Sequence, residues 1–196
     1  MASIALSKRA ARLARRGHPW LYKDDLRKSD LKAPAFSPGS IVRVHDDEGR
    51  DLGLAFASTR SKIALRLCGP WQGDLVPDLE EFLVDRIRRA IELRKGMAGE
   101  NGGVRLVHGE SDLIPGLVVD RYADVLVVQA TTALIDNGLR LISRILGELL
   151  SVRMILARND LSVRRLENLS EEVVLLEGGP VERGTIEEHG VEHTVR

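Results

Sequence analysis

The sequence predicts a mixed α+β protein in two parts: a small antiparallel barrel or sheet with one short helix, then a long helix leading into a strand-strand-helix-strand-strand unit. Three observations predict this. Lys62 to Leu67 alternates apolar and polar positions, the period of a half-buried strand. Leu79, Phe82, Leu83, Ile87, Ala90 and Ile91 recur at spacings of three and four, the period of an amphipathic helix. Between them "CGPWQGDLVPD" (68–78) is rich in Gly and Pro and reads as a linker. The expected domains are residues 1–71 and 78–196.

In chain order, Ile4 to Leu6 can open a short strand. Lys8 to Arg16 reads as a helix built on Ala10, Ala11 and Ala14, with Gly17 suited to the position after its end and Pro19 blocking continuation. "SPG" (37–39) signals a turn, and Ile41–Val44, "DDEGR" and Leu52–Ala57 read as a hairpin. The Lys62–Leu67 strand has Ile63, Leu65 and Leu67 on one face and Lys62, Ala64 and Arg66 on the other. Asp78 is a good N-cap for the long helix, and Glu80 and Glu81 suit the dipole of its first turn. "AGENGG" (98–103) stops it. Strand-compatible runs follow at Val104–Val107, Leu117–Asp120 and Val125–Ala130, then a helix over about Asp136–Leu150, then strands at Val152–Ala157 and Val173–Leu176. "NDLSVRRLENLS" is compatible with a short helix, and a last hairpin runs from Thr185 to Val195 around His189-Gly190.

A chain of 196 residues with 43% hydrophobic and 30% charged content suits one or two soluble domains. Cys68 is the single cysteine, so no internal disulfide forms, and a reducing cytoplasm fits. No apolar run approaches the roughly 20 residues of a membrane span. The acid-free start also suits an organellar transit peptide, against which "HPWLYKDDL" continues without a break as folded-type sequence. The net charge of zero hides a split. Residues 1–72 carry 14 Lys/Arg against 7 Asp/Glu, and the remainder carries 15 against 22. A basic first part points to a polyanion partner. Arg9, Arg12 and Arg16 fall at i, i+3 and i+7 and would form one basic helix face, with Lys8 and Arg15 beside it.

Nucleotide-binding patterns are absent: neither "GENGG" nor "EGGPVERG" matches a phosphate loop or a dinucleotide fingerprint. "HGVEH" (189–193) fits an inverted zinc-protease pattern, but that pattern needs a helix. In a hairpin strand, His189 and His193 would stand about 13 Å apart and could not share an ion. Trp20 and Tyr22 share a face if extended; they could stack on bases or anchor the helix to the barrel. In "GESDLIPGLVVDRY" (109–122), Pro115-Gly116 suits the centre of a type II turn and Asp112 can accept from nearby backbone N–H groups. Asp120 and Arg121 point to opposite strand faces, and Arg158, Asp160, Arg164 and Glu167 are candidate ion-pair partners for them.

These segments together resemble a known family. "GESDLIPGLVVDRY" is similar to the G-E-S-D-x-x-P-G-x-x-x-D-R segment of the 23S ribosomal RNA cytosine-C5 methyltransferases that begin with a PUA domain. "RRGHPWLY" resembles that family's basic helix and H-P-W segment. "ARNDLSVRRLENL" resembles its R-x-D-x-x-x-R-x-x-E-G-L segment, departing at Asn168, where the family has Gly. "IEEHGVEHTVR" resembles its I-x-E-N/H-G hairpin. The resemblance implies a PUA barrel over the first part, a central α+β domain, and a C-terminal Rossmann-like domain that binds S-adenosylmethionine. The cofactor glycines, the Asp-Pro-Pro-type motif and the catalytic cysteine have no counterpart before Arg196, so the chain is expected to lack the catalytic domain and to bind no cofactor itself. The resemblance further implies ribosomal RNA as partner, with Lys8, Arg9, Arg12, Arg15, Arg16 and His18 as RNA contacts. It gives Asp112, Pro115, Gly116, Asp120, Arg121, Arg158, Asp160 and Arg164 structural or RNA-facing roles. The absent methyltransferase domain is the second expected partner, and a homodimer is compatible with the sequence. The alternative reading is a stand-alone PUA-type RNA-binding protein without catalysis.

Overall fold

The computed structural model describes residues 3–32, 36–37, 39–97, 102–179, 184–188 and 191–195. Pro38, residues 98–101, His189 and Gly190, on which some of the turn and metal expectations fall, lie outside the described residues. The first five strands are β1 (Ser3–Ala5), β2 (Trp20–Tyr22), β3 (Ser40–His45), β4 (Asp51–Ala57) and β5 (Ile63–Gly69), with helix α1 (Lys8–Arg15) between β1 and β2. They form one sheet in the order β1-β3-β4-β5-β2. The β3–β4, β4–β5 and β5–β2 pairs are antiparallel, as the alternation suggests, but β1 pairs with β3 in parallel. Ile4, Leu6, Ala10, Ala11, Leu21, Val42, Val44, Ala55 and Leu65 are buried together as this part's core.

Helix α2 (Leu79–Leu93) begins where Asp78 accepts the Glu81 N–H at 2.8 Å. Its apolar stripe is buried, with Phe82, Leu83 and Ile87 fully enclosed. Next come β6 (Gly103–His108), β7 (Leu117–Tyr122), β8 (Val125–Ala130), α3 (Ala133–Asn137), α4 (Leu139–Leu149), β9 (Met154–Arg158) and β10 (Val173–Gly178). The second sheet has the order β10-β9-β8-β7-β6, antiparallel except for β8–β9. Three strands therefore precede the helices, at the three runs read as strand-compatible, and the strand-strand-helix-strand-strand summary undercounts them by one. The expected single helix over Asp136–Leu150 starts earlier and breaks at Gly138 into two. The Ser162–Glu167 segment is a short 3-10 turn, closed by Asn168 at φ +57. Gly adopts that left-handed conformation freely and Asn is the side chain that best tolerates it. Asn168, which stands where the resembled pattern has Gly, thus adopts a backbone that Gly would also take. Strands β11 (Gly184–Glu188) and β12 (Val191–Val195) pair antiparallel, as the sequence suggests. His193 lies on strand β12, not on a helix.

The second core reaches into the first sheet. Leu54, Phe56 and Cys68 are buried with Phe82, Leu83 and Ile87 rather than with the core of their own sheet. The Phe56 and Phe82 rings meet edge to face at 5.3 Å, a favoured aromatic geometry. The 68–78 linker is held near its start and at its middle: Arg86 donates to the Pro70 carbonyl at 2.6 Å, and Arg43 donates to the Gly73 carbonyl at 2.6 Å.

Candidate nucleic-acid interface

Helix α1 is amphipathic in an unusual way. Ser7 caps it, accepting the Ala10 N–H at 3.3 Å. Ala10 and Ala11 turn inward and are fully buried. Their small side chains let the helix lie close on the sheet, so its outer face is almost wholly cationic. Lys8, Arg9, Arg12, Arg15 and Arg16 are all exposed.

Their charges are not equally available. Arg9 lies 3.3 Å from Asp25, Lys8 lies 3.8 Å from Asp47, and Arg15 is bonded to Asp46. Arg50, which the sequence reading did not single out, meets the same Asp46 carboxylate at 2.7 Å. Asp46 is buried and also accepts the Glu48 and Arg50 backbone N–H groups, each at 2.9 Å. Burial alone would raise its pKa. The Arg50 side-chain bond, helped by those backbone donors, wins and holds the carboxyl well below the usual range. The signal was present in "DDEGR", whose first Asp can bond the backbone two residues on. Among the described residues, Arg12 and Arg16 form no ion pair. Lys8, Arg9, Arg12, Arg15 and Arg50, with Asp47 and Glu48 among them, rim a shallow basin of about 450 Å³ in which cations outnumber acids.

His18 is exposed just past the helix, with Nδ1 2.7 Å from the Trp20 carbonyl oxygen. Trp20 faces the second sheet's turns rather than open solvent. Its Nε1 donates to Glu110 at 2.8 Å, and the Arg66 guanidinium lies 6.0 Å from its ring centre. Arg66 also donates to Glu167 at 3.0 Å, and Ser58 donates to the same carboxylate at 2.7 Å. On the face predicted to carry Lys62, Ala64 and Arg66, Arg66 is therefore covered while Lys62 stays exposed, and Trp20 is an anchor.

The 109–122 segment is tied inward. Asp112 receives Arg94 through both oxygens at 2.9 Å and the His108 N–H at 2.6 Å. Across Pro115-Gly116, the Leu117 N–H returns to the Ile114 carbonyl at 3.1 Å. Gly116 sits at φ +86, and a Cβ there would stand 2.5 Å from the Thr132 side chain. Asp120 pairs with Arg105 at 2.7 Å, not with any residue of 157–169, because β6 places Arg105 directly opposite it. Arg121 donates to the Ala123 carbonyl at 2.6 Å. Arg158 and Asp160 pair with each other at 2.9 Å. Arg164 is completely buried. It bonds the Ala130 and Ser170 carbonyls and, at 2.8 Å, Asp136. Cys68 is buried, and burial pushes its thiol pKa up.

Residues 4–68 match the family model described as a PUA-like domain. The ribosomal RNA large subunit methyltransferase I of Aliivibrio fischeri is 33% identical over 197 residues, covering 98% of this chain and 48% of that protein. The protein of the same name from Vibrio cholerae is 33% identical over 196 residues, again covering 98% of this chain and 48% of its own length. The chain is homologous to these proteins and spans about half their length. Among solved structures, "A putative sam-dependent methyltransferase from Streptococcus mutans" superposes with a TM-score of 0.74 at 17% identity, over 99% of this chain and 48% of that one. That likeness shows a shared fold.

One place in the second sheet invites comparison with a cofactor crevice. Strands β8 and β9 are parallel and joined through α3 and α4, and α/β sheets hold cofactors beyond the carboxyl ends of such strands. Here that space is filled. The fully buried Arg164 bonds the Ala130 carbonyl, and the fully buried Asn159 accepts the Ala130 N–H at 2.8 Å. These residues do not fit S-adenosylmethionine. Among the described residues, no helix is long and apolar enough to cross a membrane.

Proposed function

We propose that this chain is the RNA-recognition portion of an S-adenosylmethionine-dependent ribosomal RNA (cytosine-C5) methyltransferase. Residues 1–71 grip RNA, and residues 78–196 brace a catalytic domain that lies outside these 196 residues and handles the methyl donor. The observation that carries the reading is the exposed cationic face of α1 within a segment that matches a PUA-like domain. The kinship with ribosomal RNA methyltransferases supports it. Phosphate contacts from Arg12 and Arg16 cost no broken ion pair. Contacts from Lys8, Arg9 and Arg15 compete with Asp47, Asp25 and Asp46. The Asp112, Arg164 and Asp120 contacts act as scaffold, holding the second sheet's turns.

The test is binding of a large-subunit ribosomal RNA fragment across a salt series, read by filter retention. Affinity is expected to fall linearly on a log–log plot, by about 0.7 to 0.9 in slope per neutralised phosphate. Affinity that ignores salt overturns the proposal.

A further inference from the structure

We propose that the half-open cavity where α1, β4, β5 and the 109–113 turn meet is a pocket for one unpaired nucleobase bearing an exocyclic amino group. The inference rests on the RNA-binding reading and adds the chemistry of a base to that of the backbone.

The cavity holds about 410 Å³, within the usual range of small-ligand pockets of about 300 to 1,000 Å³. Pro19, Leu52, Leu67 and Leu113 give it an apolar wall, and Asp51, which also lines it, is already paired with Arg43 at 2.9 Å. Such surfaces receive the faces of a base, which stack without regard to its identity. Arg15 and His18 also border it. It therefore opens at the C-terminal end of the basic helix, beside Arg16, where the phosphates of a bound strand would run.

Specificity would come from Glu110, which lines the same cavity. Its Oε1 atom is held by the Trp20 indole N–H at 2.8 Å and lies 3.7 Å from the Arg66 guanidinium, which leaves Oε2 as the oxygen open to a base. Among the described residues, Oε2 forms no hydrogen bond. A carboxylate only accepts. It favours an amino edge, such as cytosine N4, and repels a carbonyl at the same place, such as uracil O4.

The backbone is arranged for this wall. Leu113 adopts φ +61, a left-handed conformation that is strained for a branched side chain and persists only where its surroundings enforce it. Its side chain reaches β5 at Gly69, where a Cβ would stand 2.9 Å from Leu113 Cδ1. The strained turn thus delivers Glu110 and Leu113 from the second sheet to a cavity in the first. Strained positions of this kind concentrate at ligand sites.

The experiment uses short fluorescein-labelled oligocytidylate and oligouridylate, read by anisotropy, with the wild-type chain, Leu52→Trp and Glu110→Gln. Circular dichroism checks that each variant is folded. Wild type is expected to bind oligocytidylate about tenfold more tightly, in line with one good base-edge contact. Leu52→Trp fills the cavity and should remove that preference while leaving the salt slope unchanged. Glu110→Gln presents a donor beside its acceptor and should let oligouridylate bind as well as oligocytidylate. Equal wild-type affinities with a normal salt slope overturn the pocket and leave the RNA-binding reading standing. A cytidylate preference that survives both substitutions also overturns the pocket. Absence of salt-sensitive binding to either oligomer overturns both readings.

Discussion

Asp46 does more than its place in a turn suggests. It is a buried carboxylate that organises the 46–50 turn and holds Arg15 and Arg50 at the edge of the basic basin. Its folded pKa lies below that of an unfolded carboxylate, about 3.9. Its contribution to stability is therefore complete above that value and disappears as pH falls through the folded one. Asp46→Asn should lower the urea midpoint at neutral pH, and the gap from wild type should narrow as pH drops below the unfolded carboxylate value. A gap independent of pH would show that the charge contributes nothing. Cys68 gives a second check. Buried and with its thiol pKa pushed up, it should resist a thiol reagent in the native protein and react once unfolded. Rapid native reaction would place it at a surface it does not occupy here.

At the scale of elements, α2 is the hinge of the packing. Phe82 lies between Phe56 of the first sheet and Trp71 of the linker, at 5.3 and 5.8 Å between ring centres. Phe82→Ala should destabilise the chain by about 3 to 5 kcal/mol, the usual cost of emptying a buried aromatic site. Thermal and urea unfolding measure it; a loss under about 1 kcal/mol would mean that the seam is loosely packed. Both α1 and α2 were legible in the sequence because their signals are local: an Ala-rich face closed by Gly17 for one, Asp78 as a cap and a stripe at helical spacing for the other. The helix predicted from Asp136 was misjudged because Thr132 opens it one turn earlier and Gly138 interrupts it. The second sheet's extra strand, β6, was visible as an apolar run, but its pairing was not. Only that pairing reveals Arg105 as the partner of Asp120.

At the scale of the molecule, the first sheet meets α2 and the turns of the second part through contacts far apart in sequence: Trp20 with Glu110, Arg66 and Ser58 with Glu167, Phe56 with Phe82. No periodicity or turn signal encodes such pairs, so the seam and the cavity beside it could be found only in three dimensions. The basic face could be read earlier because charge and helical spacing are local. What the sequence concealed was which cations are already satisfied by Asp25, Asp46 and Asp47. That distinction gives the most direct test of the account, which is the salt dependence of RNA binding by wild type, Arg9→Ala and the double variant Arg12→Ala/Arg16→Ala. The double variant should lose about 0.7 to 0.9 in log–log slope for each cation removed, and Arg9→Ala should lose less than either. A double variant whose slope matches wild type would contradict the claim that this helix face holds the RNA.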